Sequence, residues 1–196
     1  MFKDYLIIEN VLKNPKRFIE WSKSLEYYTN VETLEDFQPQ HKNFNIKIKK
    51  VLQRHEVSWY GYRSDNLVEL NNELIIDIFD GIFMKMFPEK IYEYSYSVRP
   101  FFHYYPAHVP SPDRFFHRDP TILAGVIYLS EDPEKNSGTL IIKDSHIIEI
   151  ENIFNRFVIY NSTICHKIHN GFGNTIDDSR LTLTFFIESF NIRKVI

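Results

Sequence analysis

The strongest constraint on the fold is a change of period near residue 91. Before it, apolar residues recur at helical spacing; from Tyr92 onward they come in short β-branched and aromatic runs cut by turn residues. In the first part, Asp4 to Val11 reads as a short opening strand, and Asn14-Pro15 as a helix N-cap followed by proline in the first turn. Phe18, Trp21, Ser22 and Leu25 then share one helical face, predicting a helix laid on a sheet. A second helix is predicted from Leu67 to Phe83, ended by Pro88. In the second part, strands are predicted at Tyr92 to His103, Ala124 to Leu129, Thr139 to Ile142, Ile147 to Ile150, Arg156 to Tyr160 and Arg180 to Ser189. Turns are marked by Pro106, Pro110, Pro112, Pro133, Asn136-Ser137-Gly138 and Gly171-Phe172-Gly173. Helices first and strands afterwards predict a mainly β chain with flanking helices around a double-stranded β-helix of the jelly-roll, cupin-like kind.

At 196 residues the chain suits one domain. Residues 1–90 would form a helical buttress with the first strands, and 91–196 the jelly-roll core. The polar, irregular stretch from Thr29 to Asn45 is expected to be a loop near the mouth of a site. No basic leader followed by a secretory-length apolar core is visible, and no apolar run approaches a membrane span, so the expectation is a soluble cytoplasmic protein without a membrane partner. The single cysteine, Cys165, precludes an internal disulfide and reads as a small buried hydrophobe. A formal charge of −3 argues against a phosphate-tracking surface, hence no nucleic-acid partner. Lys47, Lys49 and Lys50 alternate with Ile46, Ile48 and Val51, the pattern of a strand with one wet face. The abundant aromatics, 17 Phe and 12 Tyr, accompany much Asn, Lys and Ile, so base composition of the gene accounts for part of that excess.

Against this background one short stretch carries chemistry. In His117-Arg118-Asp119 the outer residues fall on the same side of an extended strand, offering an imidazole and a carboxylate together. With a second imidazole from a later strand, they make the two-histidine, one-carboxylate set that holds Fe(II) with coordination positions left open. Two histidines compete for that place, His166 and His169; His166, which follows the strand Arg156 to Tyr160 and a short turn, is preferred. Arg180 opens the alternating run Arg-Leu-Thr-Leu-Thr-Phe-Phe, which puts Arg180, Thr182 and Thr184 on one face. An arginine facing a barrel interior needs an anion beside it.

These residues resemble, in type and order, the Fe(II)/2-oxoglutarate-dependent dioxygenases, most closely the small prolyl-4-hydroxylase-like branch. The resemblance covers Phe101 to Ile187, as Tyr-Pro, His-x-Asp, Tyr-Leu-Ser, Gly-Thr, strand-then-His and Arg-strand in sequence. It implies that His117, Asp119 and His166 hold Fe(II), and that Arg180 binds the distal carboxylate of the co-substrate 2-oxoglutarate. It also implies that Tyr128, in the Tyr-Leu-Ser segment, assists Arg180, with Thr184 and Tyr105 as further contacts. O2 would be the other co-substrate, and the reaction would couple decarboxylation of 2-oxoglutarate to hydroxylation of a protein side chain or a small molecule. Asp119 argues against a halogenase, which keeps that coordination position free. The second arginine usual in nucleic-acid demethylases, six residues after the first, is here Phe186.

Several alternatives stand beside this. A cupin-like protein would bind Zn or Mn through the same three ligands, and a catalytically silent interaction domain would keep only the fold. Taken singly, His117 and Asp119 read as a surface pair, His166 as a buried histidine bonded to backbone, and Arg180 as an ion-pair partner of Asp177 or Asp178. Trp59-Tyr60-Gly61-Tyr62-Arg63 reads equally as a substrate platform or as core. Ser137-Gly138-Thr139-Leu140 reads as a turn without chemistry. The sequence sets no oligomeric state.

Overall fold

A long antiparallel ladder decides where the site is built. The computed structural model describes residues 4–31, 45–56, 59–87, 92–109 and 116–194. Among these, β1 (Tyr5–Ile8), β2 (Glu26–Asn30), β3 (Lys47–Leu52), β4 (Tyr62–Ser64), β5 (Tyr92–Tyr105), β6 (Leu123–Tyr128), β9 (Phe157–Asn161) and β11 (Arg180–Lys194) form an eight-stranded sheet. Its order is β1-β9-β6-β11-β5-β4-β2-β3. The strands β7 (Thr139–Lys143), β8 (His146–Ile150) and β10 (His166–Ile168) make a smaller sheet, ordered β10-β7-β8. The ladder β5–β11 runs from Tyr105 opposite Arg180 to Tyr92 opposite Lys194.

The period of two along these strands sorts the side chains into two cores. Leu181, Leu183, Phe185 and Ile187 of β11 join Phe102 and Tyr104 of β5 under the helices α1 (Pro15–Ser24) and α3 (Asn72–Met86). There Phe185 meets Phe79 edge-on at 5.2 Å and stacks on Phe157 at 5.3 Å. Each aromatic so buried contributes about 1.5–3 kcal/mol of transfer free energy. Ser22 fixes α1 to β5 through a 2.8 Å hydrogen bond between its hydroxyl and that of Tyr104. On the opposite face Ala124, Val126, Tyr128, Val158 and Tyr160 pack against Ile141 and Ile150 of the smaller sheet. Two facing sheets with helices outside make the mainly β, double-stranded β-helix arrangement that the sequence predicts.

The predicted long helix is two helices. The first, α2 (Leu67–Leu70), stops at Asn71, whose extended backbone (φ −159°, ψ 80°) breaks the run and whose side chain accepts from Leu74 N at 3.2 Å to start α3. An asparagine carbonyl that bonds its own downstream backbone competes with helix propagation, and apolar periodicity does not register it. Pro88, Pro110 and Pro112 lie outside the described residues, as does 32–44 of the predicted loop; its start, Thr29 and Asn30, is instead the end of β2. The lysine-rich strand forms as β3, but at the sheet edge and without a buried face: Ile48 and Val51 are 39% and 38% exposed. No helix among the described residues is long and apolar enough to cross a membrane.

Gly125 shows how tightly the two cores are drawn together. On β6, between β9 and β11, an added Cβ would lie 2.1 Å from the Val158 carbonyl oxygen and 2.5 Å from the Phe185 ring. Backbone cannot yield as a flexible side chain does, so Gly125→Ala is expected to cost about 3 kcal/mol or more. Calorimetry should show a fall in Tm on the order of 10 °C for a chain of this size; an unchanged Tm would mean that the sheet relaxes freely at this point.

Candidate metal and co-substrate site

Backbone pairing brings the two histidines together. His117 N donates to the His166 carbonyl at 3.0 Å and His166 N to the His117 carbonyl at 2.9 Å, an isolated antiparallel bridge between the loop before β6 and the start of β10. Residues paired in this way project side chains to the same face. The rings accordingly lie 4.5 Å apart, centroid to centroid. Asp119 N donates to Ser162 O at 3.1 Å, which holds the carboxylate two residues on beside both imidazoles. Ligand atoms of His117, Asp119 and His166 all lie within 4.8 Å of one another.

The hydrogen bonding of His166 bears on what this cluster can hold. Its Nδ1 is 2.9 Å from Ile164 O. A carbonyl only accepts, so Nδ1 donates to it, which fixes the ring with Nε2 toward the cluster. That Nε2 stands 3.1 Å from Asp119 Oδ2, a buried carboxylate oxygen without a well-formed hydrogen bond among the described residues. Asp119 Oδ1 is 3.7 Å from His117 Nε2. Burial raises the Asp119 carboxyl, but His166, His117 and the Arg63 guanidinium outweigh it and hold the group below its ordinary value. Two nitrogen donors, one hard oxygen and a backbone acceptor fixing the ring fit a divalent transition metal. His169, the competing histidine, contacts Glu149 at 2.9 Å and is not part of this group.

Arg180 lines the same cavity, whose volume is about 650 Å³. It is 1% exposed, and its Nε donates to Ser137 O at 2.6 Å. Gly138 O is 3.5 Å from Nη2, so the turn read as chemically silent holds the guanidinium in place. Neither predicted acid pairs with it: Asp177 binds Lys23 at 2.8 Å, and Asp178 Oδ1 accepts from the Asn174 and Thr175 amides. No ion pair of Arg180 exists among the described residues. Burial pulls its proton affinity below the ordinary value, and Tyr128, Tyr105 and Tyr160 only partly restore it.

The other predicted contacts divide. Tyr105, opposite Arg180 across β5–β11, and Thr184 both line the cavity. Thr184 Oγ1 is 3.0 Å from Thr182 Oγ1, as the shared face requires. Tyr128 stands behind the wall: its ring lies 5.6 Å from the guanidinium carbon and its hydroxyl 2.7 Å from Thr139 Oγ1. The long interval between His166 and Arg180 folds back on this end, Phe172 N donating to Tyr105 O and Arg180 N to Phe172 O.

Comparison with solved structures adds the fold. A prolyl hydroxylase from Trichoplax adhaerens, in complex with a hypoxia inducible factor oxygen degradation domain peptide fragment, superposes with a TM-score of 0.56 at 12% identity. The match covers 94% of this chain and 83% of that one. HygX from Streptomyces hygroscopicus, with nickel, 2-oxoglutarate and hygromycin B bound, superposes with a TM-score of 0.52 at 10% identity, over 94% and 82%. The fold shared with these two proteins is a double-stranded β-helix. No protein-family model matches the sequence, and no curated protein matches it.

Within this β-helix the cavity is walled by residues that sequence reasoning passed over. Tyr160 packs its ring 4.6 Å from His166, and buried His103 contacts Tyr60 O at 2.6 Å. Alternation could have found Tyr160, which shares a strand face with Val158 in the smaller core. The Trp59–Arg63 stretch, read two ways, is both: Tyr62 is core, 1% exposed and 3.0 Å from His108, whereas Trp59, Tyr60 and Arg63 line the cavity. Arg63 stacks over Trp59 at 4.6 Å, with Phe101 at 5.5 Å and Phe186 at 5.7 Å. Burial pulls it down to about 10, opposed by the Asp119 carboxylate, so it stays charged at neutral pH.

Proposed function

We propose that this chain is an Fe(II)- and 2-oxoglutarate-dependent oxygenase that hydroxylates a C–H bond of a protein side chain or a small molecule. The observation that carries the reading is a buried arginine without an acidic partner among the described residues, lining the same cavity as a two-histidine, one-carboxylate cluster. A metal-binding protein of the cupin kind accounts for the cluster but leaves Arg180 unexplained. Across the whole reaction the substrate, O2 and 2-oxoglutarate give the hydroxylated product, succinate and CO2, and iron supplies the redox chemistry when bound.

The protein's own contribution is placement. His117, Asp119 and His166 hold the metal, with Ile164 O fixing the His166 ring so that Nε2 faces it. Arg180 takes the distal carboxylate of 2-oxoglutarate, and Thr184 and Tyr105 close around it. Tyr128 and the Ser137–Gly138 carbonyls orient the guanidinium rather than the co-substrate. Tyr160 shields His166 from solvent along one edge.

Titrating anaerobic, Fe(II)-loaded protein with 2-oxoglutarate should raise the weak visible charge-transfer band of a chelated keto acid, while succinate should not. Iron bound without that band would sink the proposal and favour a metal-binding protein of another kind.

A further inference from the structure

We propose that Arg63 anchors a carboxylate of the prime substrate, which makes that substrate a small carboxylic acid held between Arg63 and the metal cluster. This rests on the oxygenase reading and names its substrate class. The first support is an unused donor. Arg63 lines the cavity with no ion pair and, at its buried Nε, no hydrogen-bond partner among the described residues. A buried guanidinium without a counter-charge is costly, so an anion in the cavity beside it answers it.

Charge gives the sign of that ligand. The described lining residues include five cations, Arg63, Arg99, Arg118, Lys167 and Arg180, against the single carboxylate of Asp119. Glu188 offsets Arg99 through a 2.6 Å contact. A divalent metal and a dianionic co-substrate cancel each other, so the excess of positive charge persists for whatever enters next. Arg180 is engaged by the co-substrate on this reading. Phe186, over which Arg63 sits, lies six residues further along β11, roughly 20 Å of strand, so the two arginines serve different parts of the cavity. Arg63 and Asp119 nonetheless line one cavity, so the anchored group shares it with the metal ligands.

Shape narrows the anion. The rings of Trp59, Phe101 and Phe186 lie against the guanidinium and hold its plane in place. A carboxylate is flat and meets the guanidinium fork with two parallel bonds.

Trp59 reports on the site, since the chain has two tryptophans and Trp21→Phe leaves it as the sole emitter. With Zn(II) and saturating 2-oxoglutarate present, acetate should shift Trp59 emission saturably and acetamide should not. Arg63→Gln should weaken the acetate response about tenfold or more, with thermal melting confirming the fold. Arg63→Lys, which keeps the charge and loses the fork, should fall between. Arg193→Gln, whose partner Glu93 is 2.7 Å away and outside the cavity lining, should respond as the parent does. An acetate response that survives in Arg63→Gln, an equal response to acetamide, or no response to acetate at all overturns the assignment. Binding of inorganic phosphate in place of acetate overturns the carboxylate. Calorimetry with 2-oxoglutarate on the same protein separates the two levels: its absence fails the oxygenase reading, whereas its presence without acetate binding fails only the anchor.

Discussion

Replacing Arg180 by Gln is expected to weaken 2-oxoglutarate binding at least about a hundredfold while leaving metal affinity in place. The side chain is 1% exposed, has no ion pair among the described residues, and is held by main-chain carbonyls that cannot neutralise it. Removing one partner of a buried charge pair costs about 3–5 kcal/mol, which sets the lower bound on the loss. Glutamine retains a donor for Ser137 O, so the turn keeps its contact and the variant should fold, which far-ultraviolet circular dichroism would check. Calorimetric titration of 2-oxoglutarate into metal-loaded protein decides the matter. An unchanged Kd would remove the co-substrate from this end of the cavity and with it the case for an oxygenase.

A second large effect concerns the metal. Manganese(II) suits the same nitrogen and oxygen donors, and at about one hundred times its Kd it should stabilise the protein by about 2.7 kcal/mol. For a chain of this size that is a rise in Tm of roughly 5–10 °C. In Asp119→Ala the rise should vanish, because the hard oxygen ligand is gone, and turnover should fall to background. Losing a merely supporting contact weakens metal binding about 10–100-fold, so a larger loss marks Asp119 as a ligand itself. A full metal-induced shift in Asp119→Ala would move the site elsewhere.

The parts of the fold that sequence shows best are those where local pattern and tertiary need agree. Alternation along Arg180 to Phe186 sorted Leu181, Leu183 and Phe185 into the helix-covered core, and Arg180 and Thr184 to the cavity. The parity of His117 and Asp119 likewise survives, and His166 joins them in one group where His169 does not. The failures have a common physical root in interactions that leave no periodic trace. Asn71 ends a helix through its own side chain, and the carbonyls of Ser137 and Gly138 hold Arg180 although no side chain advertises it. The strands β4 and β10 are three residues long each, too short for a period to declare itself. Arg63 was visible as a residue, but its place in an aromatic cage depends on Phe101 and Phe186, brought in from two other strands.

The reciprocal bridge between His117 and His166 makes the candidate centre an all-or-none object. Because side chains alternate along extended backbone, a slip of one residue would set Arg118 opposite His166 and turn His117 and Asp119 together to the far side. Such a slip keeps two ligands on one face and parts them from the third. A cation that prefers three donors to fewer therefore also discriminates between pairings of the chain, so that assembly of the sheet and assembly of the centre are proofread by the same event.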